Sequence, residues 1–380
     1  MKTLKKVYYW SPSLVNIATN RSVVNSAYSL HKYGTSYECS IFNFFNEFKQ
    51  YEKFTNNNNI NLINFFSEKF CNFLPRHGKI KSRFSFIFIF LVSFFPLKNL
   101  IKKEQPDFFI IHLITSLPLI LLILFNFKTK FILRISGLPR MNIIRKFIWK
   151  IAFKKIHIVT CPTNSTYNYI KKLNIIDSDK IQLLCDPVIN IREINNKIKE
   201  NNVNYDNYYL SVGRLTNQKN FLFLCKAFKD LVKENSSFKL LIAGDGEQKK
   251  LISNFIKKNN LEKNIILLNH IKNIFPYFVK AKAFILSSLW EDPGFVLIEA
   301  AVCRTLVLTN NSEPGPKELV KNEINGIVYD TDNISSFKEK LNLLINYKNT
   351  NILKLNNLKS VRKYTIFSHF RVLDSLLINN

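Results

Sequence analysis

Residues Ser287–Glu318, SSLWEDPGFVLIEAAVCRTLVLTNNSEPGPKE, decide the fold. The apolar run Ala283–Leu286 just before them is short enough for a buried strand. Glu291, Asp292, Pro293 and Gly294 break the chain. Phe295 to Cys303 is apolar apart from Glu299 and reads as a helix. A second strand and a Gly/Pro loop ending in Gly315-Pro316-Lys317-Glu318 follow. A carboxylate inside an apolar helix is costly unless something pairs with it. Glu291 stands just before that helix and Glu299 about two turns in. Both suit the C-terminal edge of a parallel sheet, where open α/β folds bind ligands. The blander alternative, a loop acid near a helix start and a half-exposed helix acid, stays open on this physics alone.

Outward from this stretch the same alternation recurs. Tyr208–Val212 and Lys239–Ala243 read as strands, followed by Gly213-Arg214-Leu215-Thr216-Asn217-Gln218-Lys219 and by Gly244-Asp245-Gly246-Glu247. In the first half, strands are expected at Val7–Trp10, Cys39–Phe42, Phe108–Leu113, Phe131–Ile135, Ile156–Cys161 and Ile181–Leu184. Asn20 to Tyr33 reads as a helix stopped by Gly34, and Asn56–Asn59 as a loop. Two such halves predict an α/β protein with two doubly wound parallel-sheet domains facing across a cleft. The boundaries expected are 1–189, a polar Asn-rich linker over 190–207, and 208–355. Residues 356–380 form a helical tail that packs back on the first domain; its last helix carries Phe367, Phe370, Leu373 and Leu376 on one face.

Hydrophobic residues make up 47% of the 380, enough for two cores. The net charge of +28 attracts polyanions, namely nucleic acid, anionic lipid or phosphorylated substrates. The lysines are dispersed rather than gathered in one stripe, which favours a compositional habit for part of the excess. The six cysteines show no metal-ligand spacing, and several lie in apolar runs, as in a reducing cytoplasm. The N-terminus has no long apolar segment of the signal-peptide kind. Phe84–Leu97, FSFIFIFLVSFFPL, is the most apolar region, with basic residues on both flanks. It is shorter than a spanning helix and is expected to end at Pro96. A buried helix and a helix lying in a membrane interface both remain open.

Three loops after strand ends share one edge of the second sheet. Arg214 offers a bidentate fork and Lys219 a point charge. Gly213 and Gly244 let the backbone approach a ligand, and the helix start at Gly294-Phe295-Val296 favours anions. Together they suit a diphosphate without an obligatory metal. Asp177-Ser178-Asp179 matches a metal-binding DxD pattern, but acids are common in polar turns of this kind. The six His lack ligand spacing, and neither a Walker A loop nor a nucleophile elbow is present.

Taken in order, Gly213-Arg214…Lys219, Gly244-Asp245-Gly246, Glu291-DPGFVLI-Glu299 and Gly315-Pro316-Lys317-Glu318 resemble the retaining GT-B glycosyltransferases of the bacterial group 1 type, whose hallmark is E-x7-E. The resemblance covers the second half closely. The first half matches only in pattern, at Pro106-Asp107 and at Asp186-Pro187-Val188. It implies a nucleotide-sugar donor held by the second domain, with no cofactor. Arg214 and Lys219 would hold the diphosphate, Glu299 the ribose and Glu291 the donor sugar; Gly294, Phe295 and Val296 would offer backbone N–H groups. The first loop lacks the family's glycine pair, and Ser136-Gly137 stands where relatives often carry a histidine. Ser136 and Gly137 are first-domain candidates, and Asn20 and Arg21 candidates on the acceptor side. The implied activity is transfer to a glycan or lipid-linked acceptor in surface polysaccharide synthesis (lipopolysaccharide, O-antigen or capsule), at the inner face of the cytoplasmic membrane. Alternatives are a nucleotide-sugar epimerase of the same fold and, from another class, a basic protein that binds nucleic acid or anionic membrane without catalysis.

Overall fold

The computed structural model describes residues 4–13, 17–67, 79–135, 137–139, 141–200 and 203–378, and only the backbone over 79–86. The chain divides into two compact units, one of Met1–Pro187 with Ile366–Asn380 and one of Val188–Thr365.

The first unit holds a parallel sheet of seven strands: β1 (Lys5–Trp10), β2 (Tyr37–Asn43), β3 (Asn61–Asn64), β4 (Phe108–Ile111), β5 (Lys130–Arg134), β6 (Ile158–Cys161) and β7 (Ile181–Leu183). Their order is β3-β2-β1-β4-β5-β6-β7, so the winding reverses between β1 and β4. The strands are rich in Val, Ile, Phe and Tyr because both faces are covered. In β1, Tyr8 and Trp10 face one core with Phe42, Phe109 and Leu133. Val7 and Tyr9 face the other with Ile41, Ile110 and Ile132. The second of these cores is closed by α1 (Ala18–Tyr33), through Val23, Val24, Ala27 and Leu30, and by the last helix over Ile366–Ile378, through Leu373, Leu376 and Leu377.

The unit also has α2 (Glu52–Asn57), α3 (Lys79–Glu104), α4 (Ser116–Leu124), α5 (Ile143–Phe153) and α6 (Asn164–Leu173). The tract expected as a loop is in part α2, and β3 follows it. That strand sits at the sheet edge with no buried residue, so it leaves no apolar run to read. The Phe-rich region also differs from expectation. It is one helix of 26 residues that continues through Pro96. Pro96 is exposed, so the carbonyl that its ring displaces is not trapped in the core. Ile89, Leu97 and Ile101 are buried, whereas Ile87, Leu91 and Phe95 face solvent. Among the described residues no helix is long and apolar enough to cross a membrane.

The second unit has a six-stranded parallel sheet of β8 (Tyr209–Val212), β9 (Leu240–Ala243), β10 (Ile265–Leu267), β11 (Ala283–Leu286), β12 (Val307–Asn310) and β13 (Ile327–Tyr329). The order β10-β9-β8-β11-β12-β13 reverses between β8 and β11. Its helices are α7 (Ile191–Lys199), α8 (Phe221–Glu234), α9 (Lys249–Lys258), α10 (Phe275–Lys280), α11 (Phe295–Val302), α12 (Gly315–Leu319), α13 (Ile334–Ile345) and α14 (Thr350–Ser360). Leu224, Phe228, Ile242, Ile285, Leu308 and Phe337 are central in its core. The stretch expected as a linker carries α7, which packs on α10 inside this unit. Asn273 ties it down, donating from Nδ2 to Lys197 O (2.8 Å) and Glu200 Oε2 (2.9 Å). At the other end α14 still belongs to this unit, and the chain leaves it after Thr365.

Candidate functional site

The site is built where the second sheet reverses. Loops after β8 and β11, neighbouring strands on either side of the reversal, carry Gly213–Lys219 and Ser287–Gly294. This is the position at which doubly wound sheets open a crevice for ligands. The two loops are stitched together. Leu289 N donates to Gln218 O (2.8 Å), Gln218 Nε2 to Trp290 O (2.9 Å) and Ser287 Oγ to Lys219 O (2.8 Å). At the centre Lys219 Nζ and Glu291 Oε1 form an ion pair, and Ser288 Oγ donates to the same Oε1 (2.7 Å). The loop after β12 joins through Gly315 N, which donates to Glu291 O (2.8 Å), and through Asn310 Nδ2, which donates to Ser288 O (2.8 Å).

The loop after β9 packs against the loop after β8 with no room for side chains. Gly213 N donates to Ala243 O (3.0 Å) and Leu215 N to Asp245 O (2.9 Å). A Cβ at Gly244 would stand 1.8 Å from the Gly213 carbonyl oxygen. Only glycine permits that approach. Asp245 accepts from Gly246 N (2.8 Å), which with the nearby Lys249 holds its carboxyl below the usual range. Gly294 caps α11 at φ +96°, left-handed backbone open to glycine. Phe295 and Val296 follow as the first residues of that helix, where N–H groups point outward. Glu299 is buried on α11, one turn in rather than two.

The expected residues thus separate into groups. Lys219 and Glu291 touch. Gly213, exposed Arg214, Gly244, Gly294, Phe295, Val296 and Glu299 lie on the loops and helix around them. Gly137 belongs to the first unit, and Ser136 lies outside the described residues. The Asn20 side chain is fully buried and engaged internally. It accepts from Ser13 Oγ (3.1 Å) and donates to Glu47 O (3.2 Å). Asp177, of the DxD match, pairs with Lys180 at 3.5 Å on the surface. Among the described residues, no group of three His, Cys, Asp or Glu could hold a metal ion.

Sequence reasoning missed Ser288, a small residue with no signal beyond its place before Glu291. In the first unit it missed a buried polar network. Arg134 donates to Asp186 from Nε (2.8 Å) and Nη2 (2.5 Å), and Ser22 Oγ donates to Asp186 Oδ1 (3.1 Å). His369 bridges Ser26 Oγ (2.8 Å) and Cys185 O (2.7 Å); burial lowers its pKa to about 4. Burial together with Arg134 and His369 also pushes His112 well below the usual histidine range. Glu47, buried and accepting from Phe45 N (2.5 Å), has its carboxyl raised by burial to about 7.

Residues 190–358 match the family model described as "Glycosyl transferases group 1". An uncharacterized glycosyltransferase of Methanocaldococcus jannaschii is 29% identical over 273 residues, covering 65% of this chain and 66% of that one. The N-acetylgalactosamine-N,N'-diacetylbacillosaminyl-diphospho-undecaprenol 4-alpha-N-acetylgalactosaminyltransferase of Campylobacter jejuni is 27% identical over 204 residues, 54% of this chain and 55% of that one. The chain therefore spans between half and two thirds of the length of these relatives. Anabaena HepE, solved in complex with UDP and glucose, superposes with a TM-score of 0.75 over 99% of this chain and all of that one, at 12% identity. That likeness shows the fold, two parallel-sheet domains of the GT-B kind. Across residues 190–358 the chain is thus similar to the glycosyl transferases group 1 family.

Proposed function

We propose that the protein transfers a sugar from a nucleotide-diphosphate sugar, UDP-linked, to a lipid-linked glycan acceptor of bacterial surface polysaccharide synthesis, at the membrane surface. The observation that carries it is the Lys219–Glu291 pair, set between glycine turns at the reversal of the second sheet. A cation, a carboxylate and outward N–H groups at one edge suit a ligand that is both anionic and rich in hydroxyls. The Campylobacter relative is named for a diphospho-undecaprenol acceptor, and the HepE structure holds UDP and glucose.

In this reading Arg214 and Lys219 take the diphosphate, and the Phe295 and Val296 N–H groups add dipole. The bond from the anomeric carbon to the phosphate oxygen breaks with both electrons leaving on the diphosphate. The two cations and the helix start stabilise that growing charge, the kind of preorganised field worth about 10²–10³ in rate per donor group. Glu291 orients the sugar through its hydroxyls, while Ser288 and Lys219 fix the carboxylate. The acceptor hydroxyl bonds to the anomeric carbon from the leaving-group side and gives its proton to a phosphate oxygen, so configuration is retained. Neither a protein nucleophile nor a metal enters this sequence. Glu299 accepts from the ribose hydroxyls, which gives a buried carboxylate its use.

The test is incubation with a panel of UDP- and GDP-sugars and polyprenyl-diphosphate glycan acceptors, with products read by mass spectrometry and the anomeric configuration by NMR. Glu299→Ala is expected to weaken donor binding tenfold or more. Absence of any transfer across the panel, with donor binding unchanged in Glu299→Ala, would sink the reading.

A further inference from the structure

We propose that the outer face of α3, α4 and α5 in the first unit is a docking surface for an anionic lipid bilayer. This deepens the membrane part of the reading above and does not depend on the transfer chemistry. The three helices cover the same face of the sheet, with α4 in contact with both others. Each outer helix turns buried residues inward, Ile89, Leu97 and Ile101 from α3 and Ala152 and Phe153 from α5. An ordinary surface helix is polar on its other side. These two carry an apolar stripe there as well.

On α3, Ile87, Leu91 and Phe95 recur at four-residue intervals; on α5, Ile143, Phe147 and Ile151 do the same. Four residues advance the helix by about 40° beyond a full turn, so each trio spans an arc of about 80°. Two parallel readouts of one pattern thus face solvent. They are not marginal exposures: Leu91 is 66% exposed, Phe95 62%, Ile143 89% and Phe147 65%. Scattered single apolar residues need no explanation, whereas exposed apolar stripes repeated on the two helices that flank α4 mark an interaction surface.

Charge identifies the occupant. Lys102 on α3, Lys146 and Lys150 on α5, and Lys154 just past its end are exposed. Residues 108–176 contain no Asp or Glu, and neither do residues 69–103. Lys98 lies over the Phe95 and Phe125 rings at 5.4 and 5.0 Å, keeping its apolar stem on the surface and its charge at the rim. A second copy would bring the same positive face and be repelled. A nucleic acid would meet aliphatic Ile and Leu where it needs donors and stacking rings. Acyl chains suit the stripes, and anionic headgroups suit the lysines.

The experiment is flotation of the full chain with vesicles of phosphatidylcholine alone and with added phosphatidylglycerol, at low and high salt. The wild-type chain is expected to float with the anionic vesicles and to be released by salt. Ile143→Glu/Phe147→Glu and Leu91→Glu/Phe95→Glu are each expected to weaken binding at least tenfold. As these positions are exposed, circular dichroism melts should stay unchanged. If a Glu pair misfolds, Lys146→Gln/Lys150→Gln keeps the question answerable. It should lower binding to anionic vesicles roughly 25-fold, since each lysine near such a surface contributes about a factor of five. Failure of the wild type to float, flotation equal in well-folded variants, or a dimer in sedimentation that the Glu pairs dissolve would each overturn the proposal. Donor binding, measured separately, tells this failure from failure of the transfer reading.

Discussion

The Lys219 ammonium and the Glu291 carboxylate form an ion pair with side chains only 13% and 10% exposed. Removing one partner from a buried pair leaves the other charge uncompensated, which costs about 3–5 kcal/mol, more than the pair itself contributes. Lys219→Met and Glu291→Gln should therefore each lower the stability of the second unit by about 3 kcal/mol. The double variant should lose less than the sum by at least about 1 kcal/mol. Urea unfolding of the four proteins decides it, and strictly additive losses would show that the pair is not coupled.

Gly244 tests how closely the glycine turns must meet. With a Cβ expected 1.8 Å from the Gly213 carbonyl oxygen, Gly244→Ala must displace backbone. A loss of about 1–3 kcal/mol is expected, together with weaker donor binding. Gly137→Ala is the control, because nothing lies within 4 Å of its Cβ and only its φ of +74° resists, at about 1 kcal/mol. Equal melting temperatures for the two would refute the packing argument.

His369 and Glu47 push the pH dependence of the first unit in opposite directions. The histidine falls from 6.5 unfolded to about 4 folded. Its contribution is complete above pH 6.5 and is lost as pH falls toward 4. The carboxyl rises from 4.5 to about 7, so its contribution is complete below 4.5 and is lost as pH rises toward 7. Each changes stability by about 1.4 kcal/mol per pH unit inside its window. Over pH 4.5–6.5 the two oppose each other, and His112, pushed well below the usual histidine range, adds to the histidine side. Glu47→Gln should expose the histidine, with stability falling as pH drops from 6.5. His369→Gln should reduce the loss of stability on acidification, leaving His112, which is shifted in the same direction, to oppose the carboxyl. Parallel pH profiles in both variants and the wild type would contradict this.

Asp186→Asn removes the carboxylate from the Arg134 guanidinium, which is 6% exposed beside its 2% exposed partner. A cost of about 3–5 kcal/mol follows, confined to the first unit. Calorimetry should show one transition lowered and the second unit's transition kept. A single transition shifted as a whole would mean that the two units do not melt independently.

The βα alternation was legible because parallel strands buried on both faces leave dense apolar runs, as in Phe108–Ile111 and Ala283–Leu286. The edge strand Asn61–Asn64 was not, since two half-exposed apolar residues between exposed asparagines are too short a run. Phe84–Leu97 was seen as apolar, but composition does not say which face a helix buries; solvent on one side of Leu91 and core around Leu97 are tertiary facts. In the site, the loops and both acids could be named from order along the chain. The contact of Glu291 with Lys219 joins residues 72 positions apart. It depends on β8 and β11 being neighbours, which no local pattern states. The Arg134–Asp186–His369 network was hidden for the same reason, its members being brought together only by the sheet and by the returning last helix.

That last helix has a consequence for synthesis. The first unit is written in two pieces, and Ile366–Asn380 reaches the growing chain only after all of Val188–Thr365. Until then Val23, Ala27 and Leu30 of α1 lack the Leu373 and Leu377 side chains that cover them. Ser26 also lacks His369. The second unit is continuous, so on the ribosome it can close its core while the earlier unit waits, and the part made first is the part finished last.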